Sequence, residues 1–119
     1  MVHVLLVEDE PLVAELTFEA LVDAGFSVTV AFDDQAAFST LEREARSFAA
    51  VVTDINLGPG VTGFDIARRA RQLNGAIKVI YISGQGPHAD MFAVADALMV
   101  EKPYEPRDLA EQVASLLEA

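Results

Sequence analysis

The sequence predicts an α/β fold in which helices cover both faces of a parallel β-sheet. Short apolar runs rich in Val, Ile and Leu alternate with helical patterns from one end of the chain to the other. Five strands alternating with five helices imply right-handed crossovers, and therefore parallel strands in one sheet. The chain has 119 residues and neither a repeat nor a linker, so we expect a single domain, residues 1–119.

The first half of the chain contains two predicted strands, each followed by a helix. Pro11 in the first turn and Gly25 directly past the end are typical bounds of a helix, and Asp33 or Asp34 can cap the next one. The predicted elements are a buried strand at 2–7, a helix at 11–24, a strand at 27–31 and a helix that ends at about residue 46.

The second half contains three further strands and three helices. A glycine-rich turn at 58–63 separates the third strand from the third helix. The last helix places Leu109 and Val113 on one apolar face. The predicted elements are strands at 49–53, 77–82 and 97–100 and helices at 64–73, 87–96 and 106–117.

The composition excludes several classes of function. The net charge is -11 and the pI is about 4.3, so the phosphate backbone of a nucleic acid would be repelled and we expect no direct binding to it. Without Cys there is neither a disulfide nor a zinc site built on thiolates. No apolar run approaches the roughly 18 residues of a membrane span, and we expect a soluble, cytoplasmic protein.

Polar and charged residues stand at the predicted ends of four strands. Glu8 and Asp9 follow the first strand, Asp54 the third, Ser83 the fourth and Lys102 the fifth. The carboxyl ends of parallel strands meet at one edge of a sheet, where α/β proteins bind their ligands. We therefore expect these side chains to converge, although tens of residues separate them along the chain.

Three carboxylates at one edge repel one another unless a cation relieves the crowding. Mg²⁺ keeps several waters and takes one or two protein carboxylates together with a substrate phosphate, so it fits this set better than Ca²⁺. A Lys and a hydroxyl beside such a centre can stabilise a phosphoryl group during transfer, and a carboxylate can itself become an aspartyl phosphate. The sequence therefore predicts phosphoryl chemistry assisted by Mg²⁺.

Four motifs at these strand ends resemble those of the receiver domain of two-component response regulators. They stand in the order of that family and near its spacing, and the resemblance covers essentially the whole chain. It implies a flavodoxin-like, doubly wound sheet with strand order 2-1-3-4-5. The motifs are Val-Glu-Asp-Glu at 7–10, Val-Val-Thr-Asp at 51–54, Tyr-Ile-Ser-Gly at 81–84 and Glu-Lys-Pro-Tyr at 101–104.

The resemblance implies a role for the residues that would handle a phosphoryl group. Asp54 would accept it from a histidine kinase, a phosphotransfer protein or a small acyl phosphate. Lys102 would pair with the phosphoryl oxygens, and Ser83 would donate its hydroxyl to them. The domain would then signal by binding a downstream protein or a fused effector. It would assist its own phosphorylation and dephosphorylation without being an enzyme on an external substrate.

The resemblance also implies the metal ligands. Asp9 and Asp54 would bind Mg²⁺ directly, Asn56 would contribute its backbone carbonyl, and Glu8 would act through a water.

Four further positions follow from the same resemblance. Pro103 would follow a cis peptide bond that aims Lys102, and Tyr104 matches the aromatic residue usual after Lys-Pro. Met99 stands where the family commonly has an aromatic residue whose inward rotation reports phosphorylation. A flexible methionine side chain therefore replaces that aromatic ring. Gln85 matches a position that tunes how fast the phosphoryl group hydrolyses.

The first helix carries more apolar surface than a core-facing stripe requires. At about 100° per residue its apolar residues span roughly 240°, whereas a buried stripe can be as narrow as roughly 100°. We expect Ala14, Phe18 and Val22 to form an exposed partner surface, because in receiver domains the corresponding helix docks on the kinase. Scattered apolar residues on an ordinary surface are the alternative explanation.

Two other functions stay open from the sequence. A pseudo-receiver would act only as a protein-interaction module; Met99 leaves room for it, whereas Asp54 and Lys102 argue against it. A phosphatase that forms an aspartyl phosphate would need its nucleophile on the first strand with a second Asp two residues later, which residues 8–11 do not supply. Because the sequence ends directly after the last helix, we expect a stand-alone regulator or a receiver excised from a larger protein.

Overall fold

The computed structural model describes residues 1–57, 60–84 and 93–118. Within these ranges it contains five strands, four α-helices and one turn of 3₁₀-helix. No helix in the described ranges is long and apolar enough to cross a membrane. The elements in chain order are β1 (His3–Val7), α1 (Pro11–Asp23), β2 (Ser27–Ala31), α2 (Asp34–Glu44), the 3₁₀-helix (Ala45–Ser47), β3 (Ala50–Asp54), α3 (Gly63–Leu73), β4 (Lys78–Ser83), β5 (Leu98–Glu101) and α4 (Pro106–Glu118).

The five strands form one parallel sheet in the order β2-β1-β3-β4-β5, which confirms the predicted fold class. The order reverses between β1 and β3, and this switch point is where such sheets open a crevice at their carboxyl ends. Val7 pairs with Thr53, and Ser83 pairs with Glu101. The register therefore brings the ends of β1, β3, β4 and β5 to one edge of the sheet.

Side chains alternate across the strands, so the sheet separates two apolar layers. On one face, strand residues such as Leu5 and Val51 pack against buried residues of α2 and α3. On the other face, Leu6 and Val52 pack against α1 and α4. Leu109 and Val113, the predicted inner face of the last helix, are fully buried in this second layer. The polar strand ends thus lie at the edge of a sheet with an apolar layer on each face.

Side-chain caps mark the starts of two helices. Asp33, and not Asp34, caps α2, because its carboxylate accepts the backbone N–H of Ala36 at 2.7 Å. Thr62 caps α3 through a capping box, in which the carboxylate of Asp65 accepts the Thr62 N–H at 3.0 Å. The capping box was not predicted from the sequence, although Thr-x-x-Asp is a recognisable signal for it.

The predicted helix at 87–96 is not confirmed where the structure describes it. Residues 93–96 form a bend and a turn, and the remainder of the predicted helix lies outside the described residues. Asp96 has a φ of 60°, which a right-handed helix cannot contain. The N–H of Val94 donates to the hydroxyl of Tyr81 at 3.1 Å.

The structure corrects one member of the predicted partner surface on α1. Ala14 is only 1% exposed, because it shares the buried stripe of the helix with Thr17 and Leu21 at positions i, i+3 and i+7. Phe18 and Val22 are exposed, by 36% and 43%. The small side chain of Ala14 therefore faces the sheet, while larger apolar residues face outward.

Candidate functional site

Three carboxylates meet at the carboxyl edge of the sheet, as predicted. Glu8 and Asp9 come directly after β1, and Asp54 is the last residue of β3. One carboxylate oxygen from each residue lies within 4.8 Å of the other two. Glu8 and Asp54 are buried, whereas Asp9 is exposed at the rim. The cluster therefore combines two buried carboxylates with one that is exposed to solvent.

Both carboxylate oxygens of Asp54 accept a hydrogen bond. Nζ of Lys102 donates to Oδ2 at 2.8 Å, and the backbone N–H of Asn56 donates to Oδ1 at 3.1 Å. The carboxylate is held in one orientation by a charged donor and a backbone donor, which are among the strongest partners available to it.

Lys102 is fixed at both its backbone and its side chain. Its backbone N–H donates to the carbonyl of Ser83 at 2.7 Å, and its ammonium also lies 3.8 Å from Oε1 of Glu8. The peptide bond to Pro103 is cis, which confirms that prediction. Partial burial disfavours the charged ammonium, but the hydrogen bond and the charge of Asp54, with the charge of Glu8, outweigh it and raise the pKa of Lys102.

Burial shifts the pKa of the Glu8 carboxyl. Desolvation raises its pKa to about 7, and the charge of Asp54 acts in the same direction. The backbone N–H of Glu10, which donates to Oε2 at 3.2 Å, and the ammonium of Lys102 oppose this rise without cancelling it. The folded site therefore favours the protonated form of Glu8 more than water does.

The residues directly after Asp54 contact the start of α3. Asn56 forms an isolated antiparallel bridge with Thr62, and the N–H of Gly63 donates to the carbonyl of Ile55 at 2.8 Å. A Cβ atom at Gly63 would collide with the backbone carbonyl of Asp54. Gly63 therefore permits the close approach of α3 to the end of β3, a role that the sequence alone did not reveal.

The remaining predicted residues surround this centre. Ser83 is buried at the end of β4, and Met99 on β5 is half-buried beside Tyr81. The hydroxyl of Tyr104 lies 2.8 Å from the hydroxyl of Thr17 on α1. Gln85 lies outside the described residues, as do residues 58 and 59 of the predicted glycine-rich turn.

The chemistry of the cluster suits a hard divalent cation. All three side chains offer carboxylate oxygens, which Mg²⁺ and Ca²⁺ prefer as ligands. Within the described residues, the ion pairs of this cluster all come from Lys102, whose single positive charge cannot balance three carboxylates. The site therefore retains an excess of negative charge that a divalent cation would neutralise.

The comparison with protein families agrees with this geometry. The sequence model of the response regulator receiver domain matches residues 4–114. The chain belongs to this family. Response regulator receiver protein CpdR of Brucella abortus (strain 2308) is 32% identical to this receiver domain over 120 residues, which are 98% of each chain. Transcriptional regulatory protein TctD of Salmonella typhimurium (strain LT2) is 31% identical over 97% of this chain, which spans about half (51%) of TctD.

Solved structures show the same architecture. A response regulator receiver protein from Sinorhizobium medicae WSM419 superposes with a TM-score of 0.87 at 34% identity, over 99% of this chain and 95% of that one. The receiver domain of the hybrid histidine kinase CckA superposes with a TM-score of 0.81 at 27% identity, over 97% and 98% of the two chains. Both superpositions cover nearly the whole of this chain, so its fold is that of solved receiver domains.

Proposed function

We propose that this receiver domain accepts a phosphoryl group on Asp54 from a protein phosphohistidine and then signals through protein partners that distinguish the two states. The observation that carries the proposal is the contact of Lys102 with Asp54 at 2.8 Å, inside a cluster of three carboxylates. A lysine and acidic oxygens around one buried carboxylate are the parts needed to bring a phosphoryl group onto it. A pseudo-receiver would have no need for this costly arrangement.

In the proposed step, a carboxylate oxygen of Asp54 attacks the phosphorus of the donor. The P–N bond to the donor histidine breaks as the new P–O bond forms, and the leaving imidazole takes up a proton. Lys102 is placed to balance charge on the phosphoryl oxygens, and Ser83 supplies a hydroxyl from the neighbouring strand end. Hydrolysis of the resulting aspartyl phosphate would regenerate the carboxylate, so the domain assists reactions on itself and does not turn over an external substrate.

Mg²⁺ is the proposed cofactor. Asp9 and Asp54 would hold it directly, together with the backbone carbonyl of Asn56, while Glu8 would act through a water. When bound, the ion would neutralise the carboxylates and the incoming phosphoryl oxygens. The three clustered carboxylates support this assignment.

A histidine kinase or phosphotransfer protein is the proposed donor, and a downstream protein or a fused effector is the proposed recipient of the signal. The exposed side chains of Phe18 and Val22 on α1 support a docking surface for the donor. Ala14 is no longer part of that surface, since it faces the core. A cytoplasmic location, where ATP-dependent kinases work, stays a prediction.

The test is incubation with acetyl phosphate and Mg²⁺ followed by intact-mass analysis. We expect the wild-type chain to gain one phosphoryl group and Asp54→Asn to gain none. Glu10→Gln serves as the matched control, because Glu10 is an exposed acid beside the cluster but outside it. A gain that persists in Asp54→Asn would overturn the site assignment. Failure of the wild type with acetyl phosphate and with phosphorylated histidine kinases would favour a pseudo-receiver.

A further inference from the structure

Thr17 and Tyr104 form a polar contact within an otherwise apolar layer. Their hydroxyl oxygens lie 2.8 Å apart, although 87 positions separate them in the sequence. Thr17 is fully buried on α1, and Tyr104 packs against the cluster that includes Leu21 and Leu109. Removing a hydroxyl from water is costly unless it makes a hydrogen bond, and this contact supplies one for the buried hydroxyl of Thr17.

The contact joins α1 to the turn that follows β5. Burial raises the pKa of Tyr104, so its hydroxyl stays protonated near neutral pH and one of the two groups can always donate. A Phe at this position would fill nearly the same space but would leave the hydroxyl of Thr17 without this partner. The tyrosine hydroxyl is therefore a specific link and not only a part of the packing.

The same turn leads directly into the phosphoacceptor site. Tyr104 stands two residues after Lys102, whose ammonium contacts Asp54 and whose backbone N–H is fixed to Ser83. The short segment 102–104 therefore contacts the acidic cluster through Lys102 and α1 through Tyr104. A change in the position of Lys102 can reach α1 through Tyr104 and Thr17.

An apolar cleft of about 400 Å³ lies along this link. Val13 and Leu16 of α1 form one part of its lining, while Lys102, Pro103 and Tyr104 form another. The relative position of the turn and α1 therefore sets the shape of the cleft. Leu16 and Phe18, the sequence neighbours of Thr17, are exposed and would report a shift of the helix.

We propose that Tyr104 is a positioning residue which, through Thr17, couples the state of Asp54 to the surface of α1. The inference rests on the proposed phosphorylation of Asp54. Phosphorylation converts the carboxylate into an acyl phosphate and moves its negative charge onto the phosphoryl oxygens, so Lys102 exchanges its partner at Asp54 Oδ2 for those oxygens. The turn then changes its position relative to α1 and reshapes the cleft. By linkage, a molecule bound to the cleft would alter the readiness of Asp54 to accept the group.

The test follows backbone amide signals of the full chain by NMR when beryllium fluoride and Mg²⁺ are added to mimic the aspartyl phosphate. We expect the signals of Asn56, Leu16 and Phe18 to shift in the wild type. In Tyr104→Phe and in Thr17→Val, the shifts of Leu16 and Phe18 should fall to less than about half, while that of Asn56 is kept. Thr40→Val is the matched control, because it removes the hydroxyl of another buried helical threonine.

The outcomes separate this inference from the proposed function. Shifts of Leu16 and Phe18 that persist at full size in both variants would overturn the coupling. Equal losses in Thr40→Val would also overturn it, because they would show a general effect of weakened packing. If Asn56 fails to shift in the wild type, the phosphoryl site itself is refuted, and the coupling falls with it. If Thr17→Val does not fold, Tyr104→Phe alone decides.

Discussion

At the scale of single residues, the charge balance of the site depends on Lys102. Its ammonium is 2.8 Å from Asp54 and 3.8 Å from Glu8, whereas no ion pair is recorded for Asp9 within the described residues. The three acids of the cluster are therefore unequal. Removing the charge of Asp54 takes a partner away from Lys102, whereas removing the charge of Asp9 relieves its repulsion with the other two acids.

We expect Asp9→Asn to raise the thermal unfolding midpoint in metal-free buffer by a few degrees, because it removes one of three close negative charges. Asp54→Asn should raise the midpoint less than Asp9→Asn does, or lower it, because the ion pair of Asp54 with Lys102 is lost. Thermal unfolding with EDTA measures both changes, with Glu10→Gln as the control for an exposed acid outside the cluster. An Asp9→Asn midpoint at or below that of the wild type would contradict this account of the charges.

The site residues were largely predictable because each stands at the end of an apolar strand. Glu8, Asp9, Asp54 and Lys102 follow runs whose parallel arrangement can be inferred from the sequence, and the structure brings them together. Thr17 was missed because its partner lies 87 positions away. The signal available was its place on the buried stripe of α1, where a polar side chain needs a partner.

At the scale of elements, the approach of α3 to β3 depends on a residue without a side chain. Gly63 begins α3 directly beneath the carbonyl of Asp54, and its N–H bonds to Ile55. The capping box of Thr62 and Asp65 fixes the start of the same helix. Turn chemistry near Gly63 was visible in the sequence, but the close contact was not.

We expect Gly63→Ala to lower the free energy of unfolding by about 2 kcal/mol or more, because the added Cβ has only rigid backbone to displace. Gly75→Ala is the matched control, since a Cβ there meets no atom within 4 Å; its effect should stay within about 0.5 kcal/mol. Denaturant unfolding of both variants measures the difference. Similar values for the two would rule out the clash as the reason for Gly63.

Helix ends and helix faces differed in how well they could be predicted. Pro11 and Asp33 start their helices as expected, since caps and proline act locally. The assignment of Ala14 to the surface was wrong, because the amphipathic pattern of α1 is broad and only neighbouring elements decide which part is covered. Residues 93–96 were also misjudged, since the turn there includes a positive φ at Asp96.

At the scale of the whole molecule, a buried acid makes stability depend on pH. The pKa of Glu8 is about 7 in the folded state, against an ordinary value of 4.5. Between these two values the folded chain holds a proton that the unfolded chain has released. The free energy of unfolding is therefore higher near pH 4.5 and declines as the pH rises toward 7.

We expect the free energy of unfolding in EDTA to fall by at most about 3 kcal/mol between pH 5 and pH 7.5, with little further change above that range. Glu8→Gln should flatten this profile, because it removes the titrating group and keeps the shape of the side chain. Saturating Mg²⁺ should raise stability most at the upper end, where the cluster carries its full charge. Denaturant titrations at fixed pH values measure the profile, and a rise of stability with pH in EDTA would contradict it.

The sequence by itself determined the fold class, the parallel sheet and the strand ends that carry the site, because periodic apolar runs and local breakers act over a few residues. The tertiary structure alone decided which face of α1 is buried, that Gly63 lies against Asp54, and that Tyr104 bonds to Thr17. These features depend on how separate elements approach each other. Such contacts join residues far apart in the chain, and no local pattern specifies the distance between them.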